Sequence, residues 1–273
     1  MRIYISADIE GIAGVVSRDH LMPGRFEYEK ARDWMTDAVL AACETVHELG
    51  ASEVVVSDSH GNAQNIRYEK MPAYVQLVRS WPRPLGMMQG VEAGPYDGAL
   101  LIGYHAGATN PRGTLSHTVS GELFQEIKLN GVTVSEAAIS AAIAGHFGVP
   151  VLMVAGDDVA VEETRGLLGD IATACLKTST GWLSALNPSP AAADLSLRAG
   201  VKDAIGRIGR APYLVAGPIT LEIRLRTRFV AEWLSYLSGI DQIDAFTIRC
   251  QAEDIVAVSR FLTFLTSART VLS

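Results

Sequence analysis

Four short runs in this chain are apolar at almost every position: residues 3–7, Val54-Val55-Val56, Ala99-Leu100-Leu101-Ile102 and residues 151–155. A strand with one wet face alternates apolar and polar side chains, so a strand without alternation is buried on both faces. Between the first two runs, Ala31, Trp34, Met35, Ala38, Val39, Ala42 and Val46 recur at helical spacing, and Gly50 supplies the stop. Buried strands separated by helices predict an α/β fold with a mainly parallel sheet covered by helices.

One segment departs from this rhythm. Ile127-Lys128-Leu129 and Val132-Thr133-Val134 flank Asn130-Gly131, which predicts a β-hairpin insertion because both turn positions need positive φ. A helix follows over residues 135–147, with Ser135 as its N-cap and Gly148 beyond its end. Glu136 then stands in the first helical turn, beside the hairpin. After Gly156-Asp157-Asp158 the pattern weakens. Asn187-Pro188-Ser189-Pro190 reads as a connector, residues 191–208 as a helix, 221–225 and 245–248 as strands, and 254–265 as a last helix. The expected organisation is a metal-site α/β part over residues 1–185 and a smaller C-terminal α/β part over 186–273. One continuous domain is the alternative.

The 273 residues are 48% hydrophobic and 19% charged, a globular rather than a disordered balance. The net charge of -7 argues against a nucleic-acid partner. Arg224, Arg226 and Arg228 form the one local basic stretch, read as a solvated face. Cys43, Cys175 and Cys250 are far apart and in no metal-binding spacing, so they read as small apolar residues in a reducing compartment. The N-terminal residues run straight into a strand and two carboxylates, unlike a signal peptide, and no apolar run reaches the length of a membrane span. The expected location is cytoplasmic, without a membrane partner.

Five metal-ligating residue types share one feature: each lies just beyond a predicted strand or at a helix start. They are Asp8, Glu10, His60, His105 and Glu136. In open parallel sheets, ligands bind at the carboxyl ends of the strands, so these residues can meet on one rim. An isolated Asp-x-Glu is more often a pair of solvated carboxylates. Here Asp8 and Glu10 follow a buried strand, and two carboxylates held so close repel unless a cation joins them. His60, in Ser57-Asp58-Ser59-His60-Gly61, suits zinc, with Asp58 expected to orient its ring. His105 has small neighbours that leave room for a metal. His117, in Ser116-His117-Thr118, is a third rim histidine, with neighbouring hydroxyls able to fix its tautomer; His20, His47 and His146 read as structural or exposed. Two zinc ions, three carboxylates and one bridging hydroxide sum to neutrality, with Asp8 the natural shared ligand.

A competing reading takes Asp8 as the phosphorylated nucleophile of a magnesium-dependent haloacid-dehalogenase-like phosphatase, with Asp157, Asp158 and Lys177 completing the site. It leaves His60, His105 and His117 without a role. A metal-stabilised binding module without turnover is a third reading, since ligands alone do not prove catalysis.

The blocks Ser6-Ala7-Asp8-Ile9-Glu10-Gly11-Ile12, Ser57-Asp58-Ser59-His60, Gly103-Tyr104-His105-Ala106, Ser116-His117, Val134-Ser135-Glu136 and residues 150–158 resemble, in order, the signature blocks of the D-aminopeptidase family. These are dinuclear zinc metallopeptidases of the kind encoded with bacterial dipeptide-transport genes. The likeness runs to about residue 180 and more loosely beyond. It implies Asp8, Glu10, His60, His105 and Glu136 as zinc ligands, with Asp8 shared, and His117 as the catalytic histidine. It also implies an aminopeptidase acting on short peptides with a preference for D-residues, assembled as a large homo-oligomer around its active sites.

Overall fold

In the computed structural model, which describes residues 1–268, β1 (Arg2–Ala7) leads through a long loop into α1 (Tyr28–Glu48), β2 (Glu53–Asp58) and β3 (Val75–Val78). β4 (Gly98–Tyr104) is followed by the hairpin β5 (Phe124–Leu129) and β6 (Val132–Thr133), then α2 (Glu136–His146), β7 (Val151–Asp157) and α3 (Asp158–Leu168). The remainder is β8 (Ala172–Gly181), β9 (Ser184–Leu186), α4 (Pro190–Ile205), β10 (Ile219–Leu225), α5 (Arg228–Leu234), β11 (Ile240–Gln242), β12 (Thr247–Ala252) and α6 (Ile255–Ser267).

The apolar runs form the expected mixed α/β architecture. A seven-stranded sheet has the order β3-β2-β1-β4-β7-β8-β9, parallel throughout except for the terminal β8–β9 pair. Its strands carry apolar side chains to both faces, as burial on both sides demands. Ile3, Ile5, Leu100 and Ile102 join one core with α1 and α4, while Tyr4, Ala99 and Leu101 join the other with α2. α2 is apolar nearly all round and buried along almost its whole length, as a helix between two layers must be.

Asn130 and Gly131 make the predicted turn, with φ of 51° and 80°. The hairpin does not stand alone. β5 pairs with β10, giving a five-stranded antiparallel sheet of order β11-β12-β10-β5-β6. The sequence read the hairpin and the C-terminal strands as separate pieces; the structure joins them. α4, from beyond residue 186, packs on β8 and α1 of the first sheet. We therefore propose one continuous unit rather than two parts divided near residue 185. No helix among the described residues is long and apolar enough to cross a membrane.

Candidate metal centre

β2, β1 and β4 are parallel neighbours, about 4.8 Å apart at the hydrogen-bonding spacing. The chain runs outward from β1 to β2 and β3, then returns to β4 on the other side of β1. The carboxyl ends of β1 and β4 thus flank the topological switch point of the sheet, where open α/β sheets have their crevice. Asp8 directly follows β1, His105 directly follows β4, and His60 lies just past β2. Backbone bonds lock this rim. Asp8 N–H donates to the Ile102 carbonyl at 2.8 Å, Gly11 N–H to the Gly103 carbonyl at 2.7 Å, and Ser59 N–H to the Ala7 carbonyl at 2.8 Å. Glu136 opens α2 from above, and its Oε1 accepts from Val119 N–H at 2.6 Å.

All five sequence-predicted metal residues come together here, each less than one-tenth exposed. His60 Nδ1 lies 3.0 Å from Glu10 Oε2 and 3.3 Å from Asp8 Oδ1. His105 Nε2 lies 3.5 Å from Asp8 Oδ2 and 3.3 Å from Glu136 Oε2. Asp8 thus turns one oxygen to each imidazole. His117 stacks on His105 with ring centroids 4.1 Å apart, and its Nε2 is 3.5 Å from Glu136 Oε1. Ligand atoms close enough to share an ion occur in the groups Asp8–Glu10–His60, Asp8–His105–Glu136 and Glu10–His105–His117.

The three imidazoles are tethered in the same manner. A carbonyl only accepts, so the ring nitrogen facing it carries the proton. His60 Nε2 meets the Leu21 carbonyl at 2.9 Å, His105 Nδ1 the Ala106 carbonyl at 3.0 Å, and His117 Nδ1 the Leu115 carbonyl at 2.9 Å. In each ring the other nitrogen points at the carboxylates. This is the arrangement that sets ligand tautomer and direction in metal sites.

The electrostatics test whether a cation fits. Burial and the neighbouring Glu10 push the Asp8 carboxyl up to about 8. Burial opposes ionisation of Glu10 and Glu136, but His60 beside the first and His105 beside the second hold them below the usual range. Burial also opposes charging of His60 and His105, yet Glu10 and Glu136 drive both well above the ordinary imidazole value. A protonated Asp8, two carboxylates and two imidazolium rings balance. Without a cation, the site reaches neutrality only by holding protons where positive charge is needed. His105 Nε2 is moreover buried and makes no well-formed hydrogen bond to the carboxylates that face it at 3.3 and 3.5 Å, a cost that a metal bond removes. The donor set fits a pair of divalent ions.

Over residues 1–264 the sequence matches the D-aminopeptidase family. The chain belongs to that family. It is 30% identical over 268 residues to a D-aminopeptidase from Bacillus subtilis (strain 168), covering 97% of each chain. It is also similar to a solved structure, the Zn-dependent D-aminopeptidase DppA from Bacillus subtilis, described as a self-compartmentalizing protease. The TM-score is 0.92 at 29% identity, covering 98% of this chain and 97% of that one. Membership of the D-aminopeptidase family makes the chain a peptidase, and the match extends well past residue 180 into the C-terminal elements.

The phosphatase alternative falls with that result, and the geometry shows what misled it. Asp157 is the N-cap of α3, its Oδ1 accepting from Ala160 N–H at 2.8 Å, and Asp158 accepts from Ser179 N–H at 2.8 Å. Lys177 is buried with its ammonium on the carbonyls of Glu10, Ile12 and Val15. Lys177 thus braces the loop after β1, while the two aspartates fix the start of α3 and the strand beside it. Two finer expectations also need correction. Asp58 does not touch the His60 ring; it accepts from Asn65 and Ile66 N–H and from the Asn65 amide, which in turn donates to the His60 carbonyl at 2.7 Å. Nor do hydroxyls fix the His117 tautomer. Ser116 Oγ donates to the Asn110 carbonyl and Thr118 Oγ1 accepts from Ala108 N–H, leaving the Leu115 carbonyl to hold Nδ1. Backbone carbonyls carry no residue-type signal, so sequence reasoning had nothing from which to find the three tethers.

Proposed function

We propose that this protein is a zinc-dependent aminopeptidase that hydrolyses the N-terminal amide bond of short peptides, with a preference for D-residues, using two zinc ions per chain. The observation that carries this is the position of Asp8 between two donor groups, Asp8–Glu10–His60 and Asp8–His105–Glu136. Asp8, Glu10, His60, His105 and Glu136 would hold the metals. When bound, two such ions polarise a scissile carbonyl and supply a nucleophilic water at neutral pH.

The chain's own residues supply the rest. Glu10 and Glu136, with Asp8, bring the negative charge that makes a divalent pair neutral in a buried site. His117 is the proton-transfer group. Its Nδ1 proton rests on the Leu115 carbonyl, so Nε2 is free to accept a proton at the reacting centre and return it to the leaving amine. Burial, and then the adjacent His105, hold its pKa below the ordinary value, which keeps Nε2 unprotonated at neutral pH. Its side chain is 23% exposed while the five metal residues are sealed, so it stands at the mouth where a peptide enters.

Similarity to a Zn-dependent, self-compartmentalizing D-aminopeptidase supports the choice of metal, the D-preference and assembly into a homo-oligomer enclosing the sites. Cys43, Cys175 and Cys250 are unpaired, which suits a cytoplasmic setting. The test is elemental analysis of protein purified without added metal, together with hydrolysis of amino-acid amides of both chiralities. About two zinc ions per chain and faster cleavage of the D-amide are expected. A single magnesium with no zinc, or faster cleavage of the L-amide, would overturn the reading.

A further inference from the structure

His117 lies in a loop whose backbone is strained on both sides of it. Leu115 has φ 56° and Val119 has φ 62°. The left-handed region is uncommon for leucine and an outlier for β-branched valine, and such residues persist only where their surroundings over-determine them. For Val119 the restraint is within the metal centre, since its N–H donates to Glu136 Oε1. For Leu115 it comes from outside. Leu115 N–H donates at 2.8 Å to the carbonyl of Trp182, at the tip of the β8–β9 hairpin.

The hairpin grips the loop at two further points. The fully buried Thr114 hydroxyl lies 2.7 Å from Ser179 Oγ, 3.2 Å from the Gly181 carbonyl and 3.1 Å from the Ser184 carbonyl. Trp182 Nε1–H donates to the Ser116 carbonyl at 3.3 Å. Trp182 is 45% exposed, so it is not there to fill the core; the Arg18 guanidinium lies 5.0 Å from its ring centroid and holds it over the loop. Leu115 is therefore held through its N–H by the hairpin, and its own carbonyl accepts the His117 Nδ1 proton.

We propose that the β8–β9 hairpin, through Trp182 and Thr114, is a positioning element that fixes the tautomer and direction of His117. This rests on the reading of His117 as the proton-transfer group. Trp182 acts through the loop. The main-chain bond from Leu115 to Trp182 survives loss of the ring, but the Ser116 carbonyl then loses its Nε1–H donor, the peptide between Leu115 and His117 is freed to turn, the Leu115 carbonyl no longer faces Nδ1 steadily, and the tautomer with its proton on Nε2 becomes populated. That tautomer cannot accept a proton at the reacting centre.

The experiment compares the zinc-loaded enzyme with Trp182→Ala, Trp182→Phe, Thr114→Val, His117→Ala and the Trp182→Ala/His117→Ala double variant on an amino-acid amide. Trp182→Ala should lower kcat about tenfold, the worth of one lost hydrogen bond, with KM and zinc content unchanged. Trp182→Phe keeps the ring over which Arg18 sits but loses the N–H. It and Thr114→Val should shift kcat the same way, and Trp182→Phe decides the matter should the alanine variant fail to fold. Groups acting as a unit are non-additive, so the double variant should be no slower than His117→Ala alone. Full turnover in the Trp182 and Thr114 variants, a rise in KM with kcat intact, or an equal further loss in the His117→Ala background would overturn the proposal. Full turnover in His117→Ala itself would instead remove the reading on which it rests.

Discussion

At the residue scale, the site histidines are distinguished by where their second nitrogen goes. A core histidine satisfies both nitrogens with the surrounding fold. His60, His105 and His117 each spend one on a backbone carbonyl and present the other to the carboxylates. His47 is the contrast. Its Nδ1 also faces a backbone carbonyl, that of Ala51 at 2.8 Å, but the residue is exposed and its ring stacks on Tyr74 at 3.9 Å, at the far end of α1 and outside every group of metal-ligand atoms among the described residues. His60→Ala should therefore lose zinc and amide hydrolysis together, while His47→Ala keeps both; equal effects, by elemental analysis and initial rates, would show that the rim does not hold the metal. His117→Ala separates another pair of roles, because Glu10, His105 and His117 could also share an ion. As a proton-transfer group its loss should leave zinc content and melting temperature near the parent values, with turnover down roughly 100-fold to 10,000-fold. Release of one metal equivalent would make it a ligand.

At the element scale, the site depends on how closely the turn after β1 can approach the end of β4. A Cβ on Gly11 would lie 2.0 Å from the Tyr104 carbonyl oxygen, backbone that cannot move aside. Gly11→Ala should destabilise the fold by about 1–3 kcal/mol, as overpacking does, and should also displace Glu10 and weaken zinc binding. Gly166→Ala, on an open face of α3, should be neutral or stabilising, by up to about 1 kcal/mol. Chemical denaturation with and without zinc reads both, and equal costs would mean that close approach is not what Gly11 supplies. The same strands show how much the sequence revealed. β1, β2, β4 and β7 were legible because burial on both faces makes them apolar throughout, and the hairpin because Asn130-Gly131 fits one turn type. β8 was not. Lys177 interrupts its apolar run to carry the loop carbonyls, and its outer half leaves the core to pair with β9. α3 was hidden behind Asp157 and Asp158, where a helix cap looks in sequence like an acidic pair. The convergence of Asp8, Glu10, His60, His105 and Glu136 was legible because each lies just past a strand or opens a helix. The hairpin that grips the His117 loop was not, because its bonds run largely through main-chain atoms.

At the scale of the whole molecule, the buried carboxylates make stability, metal and pH one problem. In the chelated protein, Asp8 is raised from 3.8 to about 8, and His60 and His105 are raised well above 6.5. All three bind protons more tightly folded than unfolded. Their stabilisation is present at low pH and is lost as pH climbs, from about 4 for Asp8 and above 6.5 for the imidazoles, through the folded values. Glu10 and Glu136 are lowered, so their contribution is present above 4.5 and is lost only on the acid side. His117, lowered from 6.5, favours folding as it deprotonates, but it is one group against three. The metal-free protein should therefore lose stability between about pH 5 and pH 8. Zinc replaces those protons, so its binding releases them and strengthens as pH rises. Melting temperatures taken with excess chelator and with excess zinc, at about pH 5, 6.5 and 8, should diverge with pH, since a ligand bound only by the folded state stabilises it in proportion to its occupancy. A gap that stays constant or closes toward pH 8 would mean that protons and metal do not compete for Asp8, His60 and His105, and that the ions are held elsewhere.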